Sequence, residues 1–267
     1  KVDNFKKLEK ISNTVRYNII KQTFLKKSGH LGGSLSCTDI LVNIFNNYVF
    51  NNYQNKFILS KGHCALSLYS VLYQAKKLSK KKFYSFADQG TYFGEHSSPK
   101  IKNKYINFST GSLGHGPSFG SGIAFSRFLK KKSGYIFVLV SDGEMNSGTI
   151  WESAMLSSKL NLNNLIVIVD YNKFQATGKS DEILNIKPLE KKWESFGWNV
   201  LECNGNNHKS LSSNIKKLIK IKEKPKILIA HTTKGKGVSF MENDNNWHYR
   251  SPSKDEFLKA KIELGIK

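Results

Sequence analysis

Arginine is nearly missing from this sequence: of 42 basic residues only Arg16, Arg127 and Arg250 carry a guanidinium, and the other 39 are lysines. Proteins that read nucleic-acid bases lean on the bidentate guanidinium fork, so the net charge of +22 does not mark a nucleic-acid partner. The 25 asparagines and the free use of Ile and Tyr fit the coding bias of an AT-rich genome. Lysine triplets at residues 80–82 and 130–132 fall beside predicted helix ends, where a solvated cation is favourable. Cysteine is scarce as well. Cys37, Cys64 and Cys203 are odd in number and lack metal-ligand spacing, which excludes a disulfide framework or a zinc site. Such a set suits a reducing cytoplasm and small buried hydrophobes. No apolar run approaches the roughly twenty residues of a membrane span. No linker tract, repeat or secretory leader stands out, so residues 1–267 are expected to form a single domain of a cytoplasmic protein.

Two short polar motifs each close an apolar run. Ser141-Asp142-Gly143-Glu144 follows residues 136–140, and Asp170-Tyr171-Asn172-Lys173 follows residues 165–169. Each motif sits where a buried strand ends, and in an open parallel sheet ligands bind in the crevice beyond the carboxyl ends of the strands. An Asp and an Asn there can offer two hard oxygens to one Mg²⁺, completed by a backbone carbonyl, water and a ligand's phosphates. The same residues are also ordinary turn chemistry. The segment between them, from Gly148 to Leu160, reads as an amphipathic helix with Ile150, Ala154, Leu156 and Leu160 on its apolar face. Strand, helix and strand then form a right-handed crossover with both polar motifs at one edge. The fold class expected is α/β, an open, mostly parallel sheet with helices on both faces.

Elsewhere the periodicity predicts a long helix over residues 5–27. A turn-rich loop at 28–34 then opens a second helix running to about Asn46. Residues 57–59 read as a strand, 65–76 as a helix, 83–110 as mostly loop, and 110–116 as a Gly-rich turn opening a helix to about Leu129. Further strands are expected at 198–202 and 226–230, with a helix at 207–223 between them and a final helix capped by Ser253. Four histidines, His30, His63, His96 and His248, stand on turns rather than on apolar faces. Imidazoles suit a site that binds hydroxyls and phosphate and moves protons near neutral pH. Gly111, Gly114 and Gly116 would let the backbone approach a ligand closely, just before a helix amino terminus that favours a diphosphate.

Six islands in this order resemble the transketolase family of thiamine diphosphate enzymes. They are residues 28–34, residues 60–65, residues 110–114, the Asp142 motif, the Asn172 motif, and residues 233–242 followed by Trp247-His248. The resemblance runs over most of the chain and is to the amino-terminal, diphosphate-binding subunit of transketolases split over two chains. It implies thiamine diphosphate and Mg²⁺ as cofactors, with Ca²⁺ or Mn²⁺ as substitutes. Asp142, Asn172 and the backbone carbonyl of Phe174 would hold the metal. His63, Gly111, Ser112, Leu113, Gly143, Glu144 and His248 would join Asp142 and Asn172 around the cofactor, and His30, His63, His96 and His248 would act on a ketose or ketose phosphate. Ser141 stands where the family pattern has Gly. Ser147 stands where an acidic residue linking paired active sites is expected, while Glu152 is retained.

In the family the pyrimidine-binding domain, with the glutamate that activates the cofactor, follows at about this length. The expectation is therefore half an active site, completed by a carboxyl-terminal partner subunit in an α2β2 assembly. The strand edge bearing Asp142 and Asn172 would meet the partner, with the helix from Gly148 beside the twofold axis. Other readings are a 1-deoxyxylulose-5-phosphate synthase-like or dehydrogenase E1-like subunit, or a noncatalytic protein retaining the fold.

Overall fold

The computed structural model describes residues 2–267, with side-chain placement from residue 4 onward. Five strands form one sheet, β1 (Lys56–Leu59), β2 (Ile136–Ser141), β3 (Leu165–Tyr171), β4 (Asn199–Asn204) and β5 (Lys226–His231). Their order is β1-β2-β3-β5-β4, and every neighbouring pair is parallel. Parallel strands need crossovers, so helices cover both faces and the strands are buried throughout. Because side chains alternate along a strand, one face presents Phe57, Leu59, Phe137, Leu139, Ile166, Ile168 and Leu228 to one core. The opposite face presents Ile58, Ile136, Val138, Val140, Val167, Val169 and Ile229 to the other.

On the first face lie α1 (Val2–Lys26), α2 (Leu31–Ser36), α3 (Thr38–Ile44) and α4 (Ala65–Gln74), with the short α5 (Lys80–Tyr84) packed on α4. On the other lie α6 (Gly116–Leu129) and α7 (Gly148–Lys159); α8 (Ser180–Ile183) and α9 (Leu189–Ser195) follow β3, with α9 packed beside β4. Next, α10 (His208–Lys220) returns to the first face, and α11 (Lys254–Glu263) packs against α1. The last begins at the Ser253 capping box with Glu256.

Three sequence expectations change. The segment 28–34 is not all loop: α2 starts at Leu31 and takes in both glycines. A Cβ on Gly32 would come within 3.0 Å of the Lys234 Cε and 3.2 Å of the Trp247 carbonyl oxygen, so glycine lets the helix pack against that loop. The single helix expected as far as Asn46 breaks at Cys37, resumes as α3 and ends in a π turn over Phe45–Val49. On α7, Ile150 and Ala154 are buried with Ser153 and Ser157, whereas Leu156 is 53% exposed. At 100° per residue Leu156 lies well round the helix from Ile150, while Ser157 comes back to the buried stripe.

One buried ion pair ties the first layer together. Arg16 on α1 grips Asp39 on α3 with two guanidinium bonds, 3.1 and 2.6 Å, and Asn206 donates to the same carboxylate at 2.9 Å. Burial pushes the Asp39 carboxyl up, but the Arg16 guanidinium outweighs it and the net shift is downward. Removing one partner strands the other charge in the core. Asp39→Ala is therefore expected to cost about 3–5 kcal/mol in urea unfolding, against under about 1 kcal/mol for the exposed Asp255→Ala. Equal losses would show that the pair contributes no more than a surface residue.

Candidate functional site

The carboxyl ends of β1, β2, β3 and β5 open onto one cavity of about 350 Å³. Its lining includes His30, His63, His96 and His248, with Lys61, Ser141, Gly143, Asn172, Phe174, Gln175 and Lys234. Sheet register sets this convergence, because Ser141 pairs with Asp170 and Tyr171 with His231, so the loops leave the sheet side by side. The His30 ring lies 5.3, 6.0 and 5.5 Å from those of His63, His96 and His248. Tyr249, 63% exposed at the mouth, lies 4.8 Å from His30 and 4.5 Å from His248.

Asp142 is fully buried at the end of β2. Its Oδ1 accepts from the Gly143 N–H at 2.9 Å, and its Oδ2 from the Lys173 N–H at 2.7 Å and the Ser180 hydroxyl at 3.0 Å. Burial, and then the nearby Asp170 carboxylate, push the Asp142 carboxyl up to about 7. A carboxylate raised in this way is short of positive charge, which a divalent cation would supply. Asn172 Oδ1 accepts from the Phe174 N–H at 3.0 Å. Carboxylate, amide and carbonyl oxygens form a hard-donor set of the kind Mg²⁺ takes. No group of three or more His, Cys, Asp or Glu able to hold a metal occurs among the described residues. Two buried nitrogens on the cavity, His30 Nδ1 and Gln175 Nε2, lack hydrogen-bond partners within the protein, which fits a polar ligand there. His30 Nδ1 does lie 3.4 Å from Glu95 Oε2, without the alignment of a hydrogen bond.

Lys234 organises the opposite wall. Its ammonium meets three acceptors, the Gln175 carbonyl at 3.3 Å, the Asn245 side chain, and His248 Nδ1 at 3.0 Å. Burial brings the Lys234 amine down to about 8, with the Lys61 cation adding to the shift. Burial, followed by the Lys234 cation, brings His248 down to about 3, so its imidazole is neutral at neutral pH. Because Nδ1 accepts from an ammonium, the His248 proton resides on Nε2.

Ser112 and Leu113 are exposed and Glu95 is half-buried, whereas Glu144 is fully buried and does not line the cavity. Glu144 Oε1 accepts from the Ser60 hydroxyl and the Gly114 N–H, and Oε2 from the Ser141 N–H at 2.7 Å, so it braces three loops together. The expected row of free N–H groups before α6 is correspondingly smaller. Gly114 donates to Glu144 and Gly116 donates to Ser60, so neither is offered to a ligand. Gly114 does take a positive φ of 88°, and a Cβ on Gly116 would strike Ser60. Gly111 has only His96 near such a Cβ, at 3.5 Å. Ser141 replaces a glycine without strain because it ends β2 in extended backbone. Sequence reasoning passed over Lys61, Asp170, Gln175, Lys234 and Tyr249. All but Gln175 and Tyr249 lay inside quoted motifs, and the signal missed was charge next to a strand end.

The sign of the pH dependence follows from His248. Its pKa is about 3 in the folded chain against 6.5 for a free imidazole, so between these values only the unfolded chain takes up the proton. The resulting stability is present above about pH 6.5 and lost as pH falls toward 3. His248→Gln should flatten the fall of the thermal midpoint across that window. Parallel curves for the two proteins would show that His248 titrates freely when folded.

A family model described as "Transketolase, thiamine diphosphate binding domain" matches residues 8–267. One of the two subunits of an apulose-4-phosphate transketolase from Phocaeicola vulgatus is 33% identical over 264 residues, covering 96% of this chain and 93% of that protein. Its counterpart from Actinobacillus succinogenes is 35% identical, covering 98% and 97%. A 6-deoxy-6-sulfo-D-fructose transketolase subunit of a Clostridium species is 30% identical, covering 96% of each. In fold, the chain superposes on the crystal structure of Campylobacter jejuni transketolase with a TM-score of 0.90 at 24% identity, covering 97% of this chain but 43% of that one. The chain belongs to the transketolase family, whose thiamine diphosphate-binding domain it carries.

Proposed function

We propose that this chain is the subunit of a split transketolase that grips the diphosphate of thiamine diphosphate through a divalent cation. Two-carbon ketol units would pass from a ketose or ketose phosphate to an aldose only when a second subunit completes the site. The observation that carries this reading is the single cavity in which the four loop histidines meet the Asp142 and Asn172 strand ends. Two apulose-4-phosphate transketolase relatives, each named as one subunit of its enzyme, match over nearly the full length of both chains, which supports the division into subunits.

Asp142, Asn172 and the Phe174 carbonyl would hold Mg²⁺, with Ca²⁺ or Mn²⁺ as substitutes. Backbone at Gly111, Ser112, Leu113 and Gly143, together with His63 and His248, would surround the diphosphate, and Glu144 would act by holding those loops in place. Bound there, the cofactor supplies the electron sink for breaking and making the carbon–carbon bond. The chain's own task is positioning. Lys234 fixes the tautomer of His248, which then offers an Nε2–H to a substrate oxygen while staying neutral. His30 and His63 offer further imidazole contacts to hydroxyls, and His96, the most exposed of the four, would meet the sugar nearer the mouth. Leu113, Phe174 and Tyr249 furnish apolar wall that limits water.

The partner would bring the pyrimidine-binding surface and the activating glutamate. An α2β2 assembly is supported by the apolar side chains left exposed on neighbouring elements, Leu113, Phe119 on α6, and Met155 and Leu156 on α7. Three buried free thiols support a cytoplasmic setting. No helix among the described residues is long and apolar enough to cross a membrane.

Two measurements test the reading. Asp142→Ala removes a charged ligand and should weaken Mg²⁺-dependent thiamine diphosphate binding at least tenfold, about 1.4 kcal/mol, while Asp255→Ala leaves it unchanged. Unchanged affinity in calorimetry of the Asp142 variant with the partner present would exclude the site. The purified chain should dimerise in light scattering and transfer ketol units only on addition of the second subunit, and full turnover by the chain alone would overturn the half-site.

A further inference from the structure

Beneath the Asn172 side chain lies a second buried charge. Asp170, one residue before the end of β3, is fully buried and carries no solvent contact. Its Oδ2 accepts from the Lys61 ammonium, from the Ser36 hydroxyl at 2.6 Å and from Asn172 Nδ2 at 3.3 Å, and its Oδ1 accepts from the Thr232 hydroxyl. Lys61 also donates to the Gly33 carbonyl at 3.2 Å, so the ion pair is embedded in hydrogen bonds. Asn172 Nδ2 has a second acceptor, the Ser36 hydroxyl, at 3.2 Å.

We infer that the buried carboxylate of Asp170 fixes the Asn172 amide in one of its two orientations, nitrogen inward and oxygen outward, making Asp170 a positioning residue for the divalent cation. An amide can rotate end for end, and its two orientations have nearly the same shape. Here the surroundings tell them apart. A carboxylate can only accept, and the Phe174 N–H on the other side can only donate. The turned amide would set oxygen against the Asp170 carboxylate and NH₂ against the Phe174 N–H, losing both bonds and adding two like-pole contacts. With nitrogen held inward, Asn172 Oδ1 faces the strand end with a lone pair beyond the one Phe174 uses. Partners behind a metal ligand commonly orient it in this way.

The same geometry accounts for an amide at position 172. A carboxylate there would stand 3.3 Å from Asp170 Oδ2, anion against anion, in a place where Lys61 already neutralises only one of them. Lys61 is thus the counter-ion that allows a charge at Asp170, and Asp170 uses that charge to aim a neutral ligand. The inference rests on the reading of Asn172 as a cation ligand.

The test uses the full chain and two readouts. First, in the metal-free, ¹⁵N-labelled protein the Asn172 side-chain amide protons, identified by their absence in N172D, should exchange with water far more slowly than those of the exposed Asn246. Exchange as fast as that of Asn246 would overturn the orientation, and this measurement needs no altered core. Second, Mg²⁺ affinity is measured by calorimetry with thiamine diphosphate in excess and the partner subunit present. The K61M/D170L pair removes both charges together, a replacement that buried ion pairs often tolerate. It should weaken Mg²⁺ binding tenfold or more in the chain bearing Asn172, and should cost nothing in the N172D background, where both terminal atoms are oxygens and there is no orientation to hold. A purely structural contribution would give the same loss in both backgrounds, which would overturn the positioning role. Absence of Mg²⁺-dependent binding by the unaltered protein would instead remove the reading of the cation site, and with it this role.

Discussion

A parallel sheet covered on both faces has almost no place for charge along its strands, so polar groups collect at the strand ends. Ser141, Asp142, Asp170 and Asn172 all obey this constraint, as do Ser60, Lys61 and Thr232 just beyond β1 and β5. Once gathered there, charges sit in low dielectric and must satisfy one another. Lys61 answers Asp170, backbone N–H groups and Ser180 answer Asp142, and Glu144 is answered by Ser60, Gly114 and Ser141. The loops are ordered by these pairings before any ligand arrives.

Glu144 and Asp170 divide the work of bracing. Glu144 locks the loop after β1, the turn before α6 and the end of β2 into one unit. Asp170 joins the end of β3 to α2, the β1 loop and the residue after β5. Neither carboxylate lines the cavity, and both are fully buried. Close backbone approach serves the same end. A Cβ on Gly62 would fall 1.3 Å from the Thr110 carbonyl oxygen, so only glycine allows the β1 loop and the Thr110 turn to touch.

Much of this was legible in the residues. Apolar runs of strand length, each ending in an acidic or amide motif, placed β2 and β3 and the edge they share, and the periodic segments gave α1, α6, α7 and α10 close to their observed limits. The grouping of four distant histidines around one cavity followed from their turns lying near strand ends. What the sequence could not supply was direction. Nothing in the order of residues distinguishes Glu144, turned back to bind three loops, from Asp142 beside it, nor tells that the Gly114 and Gly116 N–H groups are taken by neighbours. Leu156 was assigned to the buried face because it is apolar, but helix geometry carries it outward. Lys61 and Lys234 were hidden by composition, since two functional lysines do not stand out among 39.

The glycine at position 32 also has a mechanical consequence. Because α2 touches the stem of Lys234 and the Trp247 carbonyl, and because the Gly235 N–H donates to the Gly32 carbonyl at 3.0 Å, the turn bearing His30 and the loop bearing His248 form one packed block. His96, by contrast, rides on a largely irregular and solvent-facing stretch between α5 and α6. The cavity therefore has a stiff wall and a yielding one. Access must be gained by displacing the His96 side, where backbone is held by few buried contacts, while the His30–His248 wall keeps its spacing as sugars come and go.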